Sequence, residues 1–329
     1  MFKLPNEYLL AFALALIMAL GLGKFGIPLL HRLKFGQVVR SDGPSSHAAK
    51  RGTPTMGGVI FLIPALAVTW WWGGALAHSF TALMVATVFT LGFALVGLAD
   101  DALKVVFRRS LGLLARQKLF WQTILTALAA GLLYYAGHST VLVMPYVGWS
   151  LDLGFFYWLF LLFIGLAFSN AVNLTDGIDG LAGGTMVFAS LAYVVIGLVT
   201  GVWEVVLFSL ALMGGVLGFL YYNRHPARVF MGDVGSLGLG GALVSMGVLT
   251  GTELLLPIVG LVYVWSTFSV TLQVVFFRIT GGRRFFRMAP FHHSLELSGW
   301  SEKRIVFVYY VASAIGAAAG ILGLAKMGG

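Results

Sequence analysis

The feature that most limits this chain is a series of apolar runs, each about 20 residues long, the length a helix needs to cross a hydrocarbon layer about 30 Å thick. Lipid offers a backbone N–H or C=O no partner, so such a run has to close its hydrogen bonds within itself. Ten runs qualify, roughly 7 to 30, 58 to 77, 79 to 99, 118 to 137, 154 to 172, 181 to 200, 204 to 222, 234 to 250, 254 to 278 and 305 to 326. Glycines and Pro257 interrupt the runs 234 to 250 and 254 to 278. The expected fold is all-α, a polytopic integral membrane protein with about ten transmembrane helices. Composition agrees, with 59% hydrophobic and 10% charged residues, against about a quarter charged in soluble domains. Disorder, a disulfide-rich secreted fold and a free-standing nucleic-acid-binding domain are thereby excluded. Neither an internal repeat nor a low-complexity linker divides residues 1 to 329, so a single membrane domain is expected. The first run has only Lys3 ahead of it, contains Lys24 and shows no small-x-small cleavage site, which reads as a retained span.

The formal charge of +9 would suggest nucleic acid in a soluble chain. Here the positions of the charges say otherwise. With ten alternating spans, the connections near 31 to 57, 100 to 117, 173 to 180, 223 to 233 and 279 to 304 share one side. Eighteen of the 21 Lys and Arg lie there or at the adjoining helix ends, leaving only Lys3, Lys24 and Lys326 elsewhere. The positive-inside rule makes that side cytoplasmic and places both termini outside. The opposite connections carry no Lys or Arg and read as simple connectors. Forty-three glycines suit close helix packing in lipid.

Five of the twelve acidic residues, Asp100, Asp101, Asp176, Asp179 and Asp233, stand at cytoplasmic ends of apolar runs. Charge near membrane depth costs a few kcal/mol per group even on the lenient insertion scale, and groups kept there usually serve an ion, proton or substrate path. In GLADDALK, Lys104 follows the two aspartates by three and four residues, so all three share one helix face; a solvated helix end with a routine ion pair is the plain alternative. NAVNLTDGIDG sets Asn173 one turn before Asp176, with Asp179 three further on and glycines that admit a ligand to the backbone. A turn between two spans uses the same residues. NRHPARVFMGDVGS brings Asn223, Phe230 and Asp233 before another apolar run, where Asp233 also suits a helix cap. Three aspartate-bearing loops on one face are more than separate solvated ends require.

Two further loops are basic. SDGPSSHAAKRGTPTMGG holds Lys50, Arg51, Thr53 and Thr55 among Gly and Pro, a setting for backbone anion contacts or simply a topogenic loop. RITGGRRFFRMAPFHHSLELSGW reads as an interfacial amphipathic segment in which His292 and His293 add polar contacts. Neighbouring positions diverge on a helix, so a zinc site there has weak support. The chain has no cysteine, which removes thiolate ligands and leaves oxygen or histidine for any metal.

KRGTPTMGG, ADDALK, NLTDGIDG, NRHPARVFMGD and MAPFHHSLEL stand in one order along the chain. In that order they resemble the phospho-N-acetylmuramoyl-pentapeptide transferase family, bacterial members of the polyprenyl-phosphate sugar-1-phosphate transferase superfamily, and the resemblance covers essentially the whole chain. One departure stands out: the family's run of three histidines ends here in Ser294. Only His292 and His293 are carried over.

The resemblance implies transfer of phospho-N-acetylmuramoyl-pentapeptide from UDP-N-acetylmuramoyl-pentapeptide to undecaprenyl phosphate, giving lipid I and UMP in peptidoglycan synthesis, at the cytoplasmic side of the bacterial inner membrane. It also implies magnesium, assigned to Asp233, with Asp100 or Asp101 deprotonating or orienting the lipid phosphate and Lys104 and Lys118 offsetting phosphate charge. Asn173, Asp176, Asp179 and Asn223 are expected around the nucleotide, with Phe230 stacked on uracil. Lys50 and Thr55 are expected to touch substrate, and His292 and His293 the sugar or phosphate side of the donor. An ordinary aspartate titrates near about 3.9, a weak base for a phosphate proton, so positioning and charge weigh more. A phosphoryl-aspartate intermediate is the mechanistic alternative. Two other functions stay in view: a sibling transferase using another UDP-N-acetylhexosamine and, more remotely, an ion-coupled transporter. A wide apolar helix face is compatible with a homodimer, although bilayer contact is its ordinary explanation.

Overall fold

The computed structural model describes residues 4–32, 52–76, 79–105, 107 and 112–327. Every predicted apolar run forms a helix. In chain order these are α1 (Asn6–Arg32), α2 (Val59–Leu76), α3 (Phe80–Thr87) continued through a π-turn (Val88–Gly92) into α4 (Phe93–Val105), and α5 (Ala115–Tyr135). After them come α6 (Phe156–Thr175), α7 (Leu181–Thr200), α8 (Trp203–Asn223), α9 (Gly232–Leu249), the short α10 (Leu256–Val259), α11 (Leu261–Ile279), α12 (Phe291–Leu297) and α13 (Glu302–Leu324). Among the described residues nine helical segments are long and apolar enough to cross a bilayer, with Phe80–Val105 counting as one. The tenth predicted span, α5, has 21 residues but opens on Ala115-Arg116-Gln117-Lys118, which lowers its apolarity. The only strands among the described residues, β1 (Val141–Val143) and β2 (Ser150–Asp152), form an antiparallel hairpin in the connection before α6, with Leu142 opposite Leu151.

The expected interruption near Pro257 is real. Proline opens α10, and the chain leaves helical geometry at Gly260 before α11 begins. The glycines of α9 act in the other direction: the helix runs unbroken, and from Val234 to Val248 every side chain is buried. Its small residues let neighbours reach the backbone. A Cβ on Gly240 would lie 2.4 Å from the Ser169 Cα of α6, and one on Gly241 would lie 2.1 Å from the Phe89 carbonyl oxygen in the π-turn. On the α4 side, a Cβ on Gly97 would lie 2.1 Å from the carbonyl oxygen of Asp233. Helix association in lipid lacks a hydrophobic drive and rests on such close backbone contact.

The outer helices carry the opposite signature. Leu9, Ile17 and Phe25 on α1, Leu119 and Phe120 on α5, and Phe307 and Ile315 on α13 are all exposed. In water that surface would drive aggregation, whereas lipid tails solvate it. The bundle therefore has a small-residue interior around α9 and an apolar rim.

The basic face is expected to be cytoplasmic, and the absence of native cysteine makes this directly measurable. Ser139, in the connection holding the hairpin, and Ser298, between α12 and α13, are both exposed. A membrane-impermeant maleimide added to intact cells should label Ser139→Cys and spare Ser298→Cys until the cells are opened. The reverse pattern would invert the assigned topology.

Candidate active site

Asp100 and Asp101 lie in the last two turns of α4, and Asp233 in the first turn of α9. The close passage of Gly97 against the backbone of Asp233 brings these two helix ends together. One carboxylate oxygen from each of Asp100, Asp101 and Asp233 lies within 4.8 Å of the others. Two unit charges about 4 Å apart repel by about 4 kcal/mol at an effective dielectric of 20, so such a trio needs compensation.

Two lysines supply it. Lys104, one turn beyond Asp100, places Nζ 2.5 Å from Asp100 Oδ2 and 3.2 Å from Asp233 Oδ2. Lys118, in the first turn of α5, places Nζ 2.6 Å from Asp233 Oδ2 and 3.2 Å from Asp100 Oδ1. Each ammonium thus bridges the same two aspartates from a different helix. Backbone donors complete the frame: the Leu113 N–H donates to Asp100 Oδ1 at 2.7 Å, and the Val234 N–H donates to Asp101 Oδ2 at 3.1 Å. With all five side chains ionised, three carboxylates and two ammonium groups leave one formal negative charge, which favours a cation.

Asn173, at the end of α6, donates from Nδ2 to Asp233 Oδ1 at 2.9 Å and to Ser236 Oγ at 2.8 Å. Asp176 caps the same helix and is half-buried. Burial first, and then the negative charges of Asp233, Asp101 and Asp179, push its carboxyl up to about 8.

The remaining expected residues fall into two groups. Thr55 is buried at the site's edge, where a Cβ on Gly232 would lie 2.9 Å from Thr55 Oγ1 and 2.5 Å from Asp101 Oδ2. Gly232 has φ +75°, a left-handed conformation at the entry to α9 that glycine adopts without strain. Phe230 is half-buried, with its N–H donating to the Pro54 carbonyl and its own carbonyl accepting from Gly57 N–H, both at 2.8 Å. His292 is buried and His293 nearly so on α12. A Cβ on Gly177 would lie 2.4 Å from His292 Nε2 and 2.9 Å from His293 Nε2, so the imidazole pair packs on the turn that carries Asp176. The second group is architectural. Asn223 is buried, accepting from Gly180 N–H at 3.0 Å and donating to the Val229 carbonyl at 2.9 Å, so its amide joins two loops. Asp179 accepts from Ala227 N–H at 3.0 Å and meets His225 Nδ1 at 3.2 Å. Lys50 lies outside the described residues.

Four contributors had gone unnoticed in the sequence. Ser236 stands one turn after Asp233, and that spacing alone could have flagged it. Leu113 acts through its backbone, for which no residue type is a signal. His225 and Glu302 join Asp179 in a second cluster of three groups.

Comparison with known proteins gives a concordant result. Residues 83–251 match the model described as Glycosyl transferase family 4, and residues 50–62 match the phospho-N-acetylmuramoyl-pentapeptide-transferase signature 1. A phospho-N-acetylmuramoyl-pentapeptide-transferase from Moorella thermoacetica is 50% identical over 96% of this chain and 98% of its own length. Those of Geobacillus kaustophilus and Desulforamulus reducens are 47% and 48% identical, each over 95% of this chain and over 96% and 95% of their own lengths.

The packing of Gly97 on Asp233 generates a direct test. Gly97→Val should force α4 from α9, an overpacking cost of about 1–3 kcal/mol, and misplace Asp100 and Asp101. Turnover per mole of inserted protein is expected to fall by about 10²-fold, as an ångström-scale misplacement does. Turnover equal to the unsubstituted protein would show that the close contact does not set the site.

Proposed function

The chain belongs to the phospho-N-acetylmuramoyl-pentapeptide-transferase family, and we propose that it transfers phospho-N-acetylmuramoyl-pentapeptide from its uridine diphosphate carrier to undecaprenyl phosphate. An oxygen of the lipid phosphate forms a bond to the sugar-bearing phosphorus. The pyrophosphate bond of the donor breaks, UMP leaves with the bonding electron pair, and lipid I retains a new pyrophosphate. The observation that carries this reading is the carboxylate trio in which Lys104 and Lys118 each bridge Asp100 and Asp233. It supplies, at the ends of membrane-spanning helices, the charges needed where a lipid phosphate meets a soluble donor.

The donor set fits magnesium, because Asp100, Asp101 and Asp233 offer hard oxygen ligands and magnesium commonly pairs one or two carboxylates with substrate phosphates. Asp233 would hold it. The ion would supply Lewis-acid neutralisation of phosphate charge. The protein's own residues do the rest. Lys104 and Lys118, already poised between Asp100 and Asp233, turn to the phosphates as negative charge grows on the leaving UMP. Asp101, held by the Val234 N–H, orients the acceptor phosphate. Asn173 fixes the rotamer of Asp233 through Oδ1. The loop of Asp176 and Asp179, with Phe230, receives the nucleotide, and His292 and His293 of α12, packed on the turn at Gly177, face the sugar-phosphate side.

The signature match over residues 50–62 favours the muramoyl-pentapeptide donor over another UDP-N-acetylhexosamine. The gathering of carboxylates at one end of the bundle, instead of at mid-span, speaks against ion-coupled transport.

Reconstitution in vesicles with UDP-N-acetylmuramoyl-pentapeptide and undecaprenyl phosphate tests donor, acceptor and metal together. UMP and lipid product should form in equal amounts, stop on chelation and return with magnesium. Asp233→Asn, inserted normally, should lose about 10²–10³-fold in turnover, the scale of one lost electrostatic group. Turnover without a divalent ion, or near-normal activity in Asp233→Asn, would remove its assigned role.

A further inference from the structure

His225 lies outside the carboxylate trio and has no assigned part in the reaction. Its imidazole is exposed on one side. Its Nδ1 lies 3.2 Å from Asp179 Oδ2 and 3.3 Å from Glu302 Oε2, and both carboxylates are buried or nearly so. An ionised carboxylate only accepts hydrogen bonds, so a nitrogen facing two of them has to carry the proton. With both carboxylates ionised, Nδ1–H is the donor to Asp179, and Glu302 lies within ion-pair distance of the same nitrogen.

The three partners come from three segments. Asp179 belongs to the turn between α6 and α7, His225 to the loop between α8 and α9, and Glu302 to the first turn of α13. Around them the same segments are joined again. Ala227 N–H donates to Asp179 Oδ2 at 3.0 Å, Gly180 N–H donates to Asn223 Oδ1 at 3.0 Å, and Tyr310 of α13 donates to the Gly180 carbonyl at 2.8 Å. The backbone bond to Asp179 Oδ2 and the hydrogen-bond separations at Nδ1 mark the cluster as a hydrogen-bonded junction.

We propose that His225 is a positioning residue for the nucleotide half of the donor: it ties Asp179 and its turn to the N-terminus of α13 and so holds the loop on which the uridine sits. The idea rests on the proposed function, because that reading puts Asp179 at the nucleotide. It goes further in naming the residue that sets the loop's place. His225 is two residues past α8, on the segment that continues through Phe230 to Asp233, so one imidazole coordinates the register of the nucleotide loop with that of the helix bearing Asp233.

Donor and acceptor then give different readouts. In the reconstituted full-length protein, His225→Ala should raise the KM for UDP-N-acetylmuramoyl-pentapeptide by about tenfold, the scale of a lost hydrogen bond to a charged group. Its kcat and its KM for undecaprenyl phosphate should stay within about twofold. His225→Asn places an amide N–H near the position of Nδ1 and should restore most of the donor KM, and Glu302→Ala should reproduce the defect. A role limited to general stability would lower kcat or change both KM values together. That result, or an unchanged donor KM in His225→Ala, would overturn the proposal while wild-type turnover left the proposed function standing. Absence of wild-type turnover with this donor would overturn the function and this proposal with it.

Discussion

Everything at this site depends on two helix ends meeting at backbone distance. Asp100 and Asp101 on α4 and Asp233 on α9 share one cluster because Gly97 offers no side chain to the carbonyl of Asp233. Once they meet, electrostatics dictates the rest. Three carboxylates cannot stand unopposed at the edge of a bilayer, and Lys104 and Lys118 each bridge Asp100 and Asp233. The lysines that stabilise the resting site are the same groups that phosphate oxygens would recruit. Substrate binding can therefore exchange one set of charge partners for another without exposing an unpaired buried charge.

Position in the bundle matters as much as charge. α9 is enclosed by α2, α4, α6 and the π-turn, so the first turn bearing Asp233 is held from several sides. The outer helices expose Leu, Ile and Phe to the bilayer. A packed centre that carries the charged side chains and an apolar rim exposed to lipid suit a reaction with one soluble and one membrane-bound substrate.

Much of this was legible in the sequence, for physical reasons that differ by element. The spans could be read because lipid forces every crossing segment into an apolar helix, and the interruption near Pro257 because proline suits the start of a helix and not its interior, so that it opens α10 just ahead of the break at Gly260. The π-turn at Val88–Gly92 left no such mark. Asp100, Asp101 and Lys104 could be grouped by helical spacing alone. Lys118 could not: it meets Asp233 across 115 residues of sequence, and only the family resemblance had singled it out. Asn223 and Asp179 show another limit. Their residue types suit a binding pocket, while the structure spends much of their hydrogen bonding on Gly180, Val229, Ala227 and His225. Composition reveals which side chains can bind, and tertiary geometry decides how many of their bonds the fold consumes.

The central claim is that carboxylates from α4 and α9 form one oxygen-ligand cation site. Manganese, which takes the same oxygen-rich coordination as magnesium, reports on that site by electron paramagnetic resonance in the detergent-solubilised protein without substrate. The account predicts one saturable manganese ion per chain, lost in Asp233→Asn and weakened in Asp101→Asn, with the bundle intact by circular dichroism. Undiminished manganese binding in both variants would contradict it.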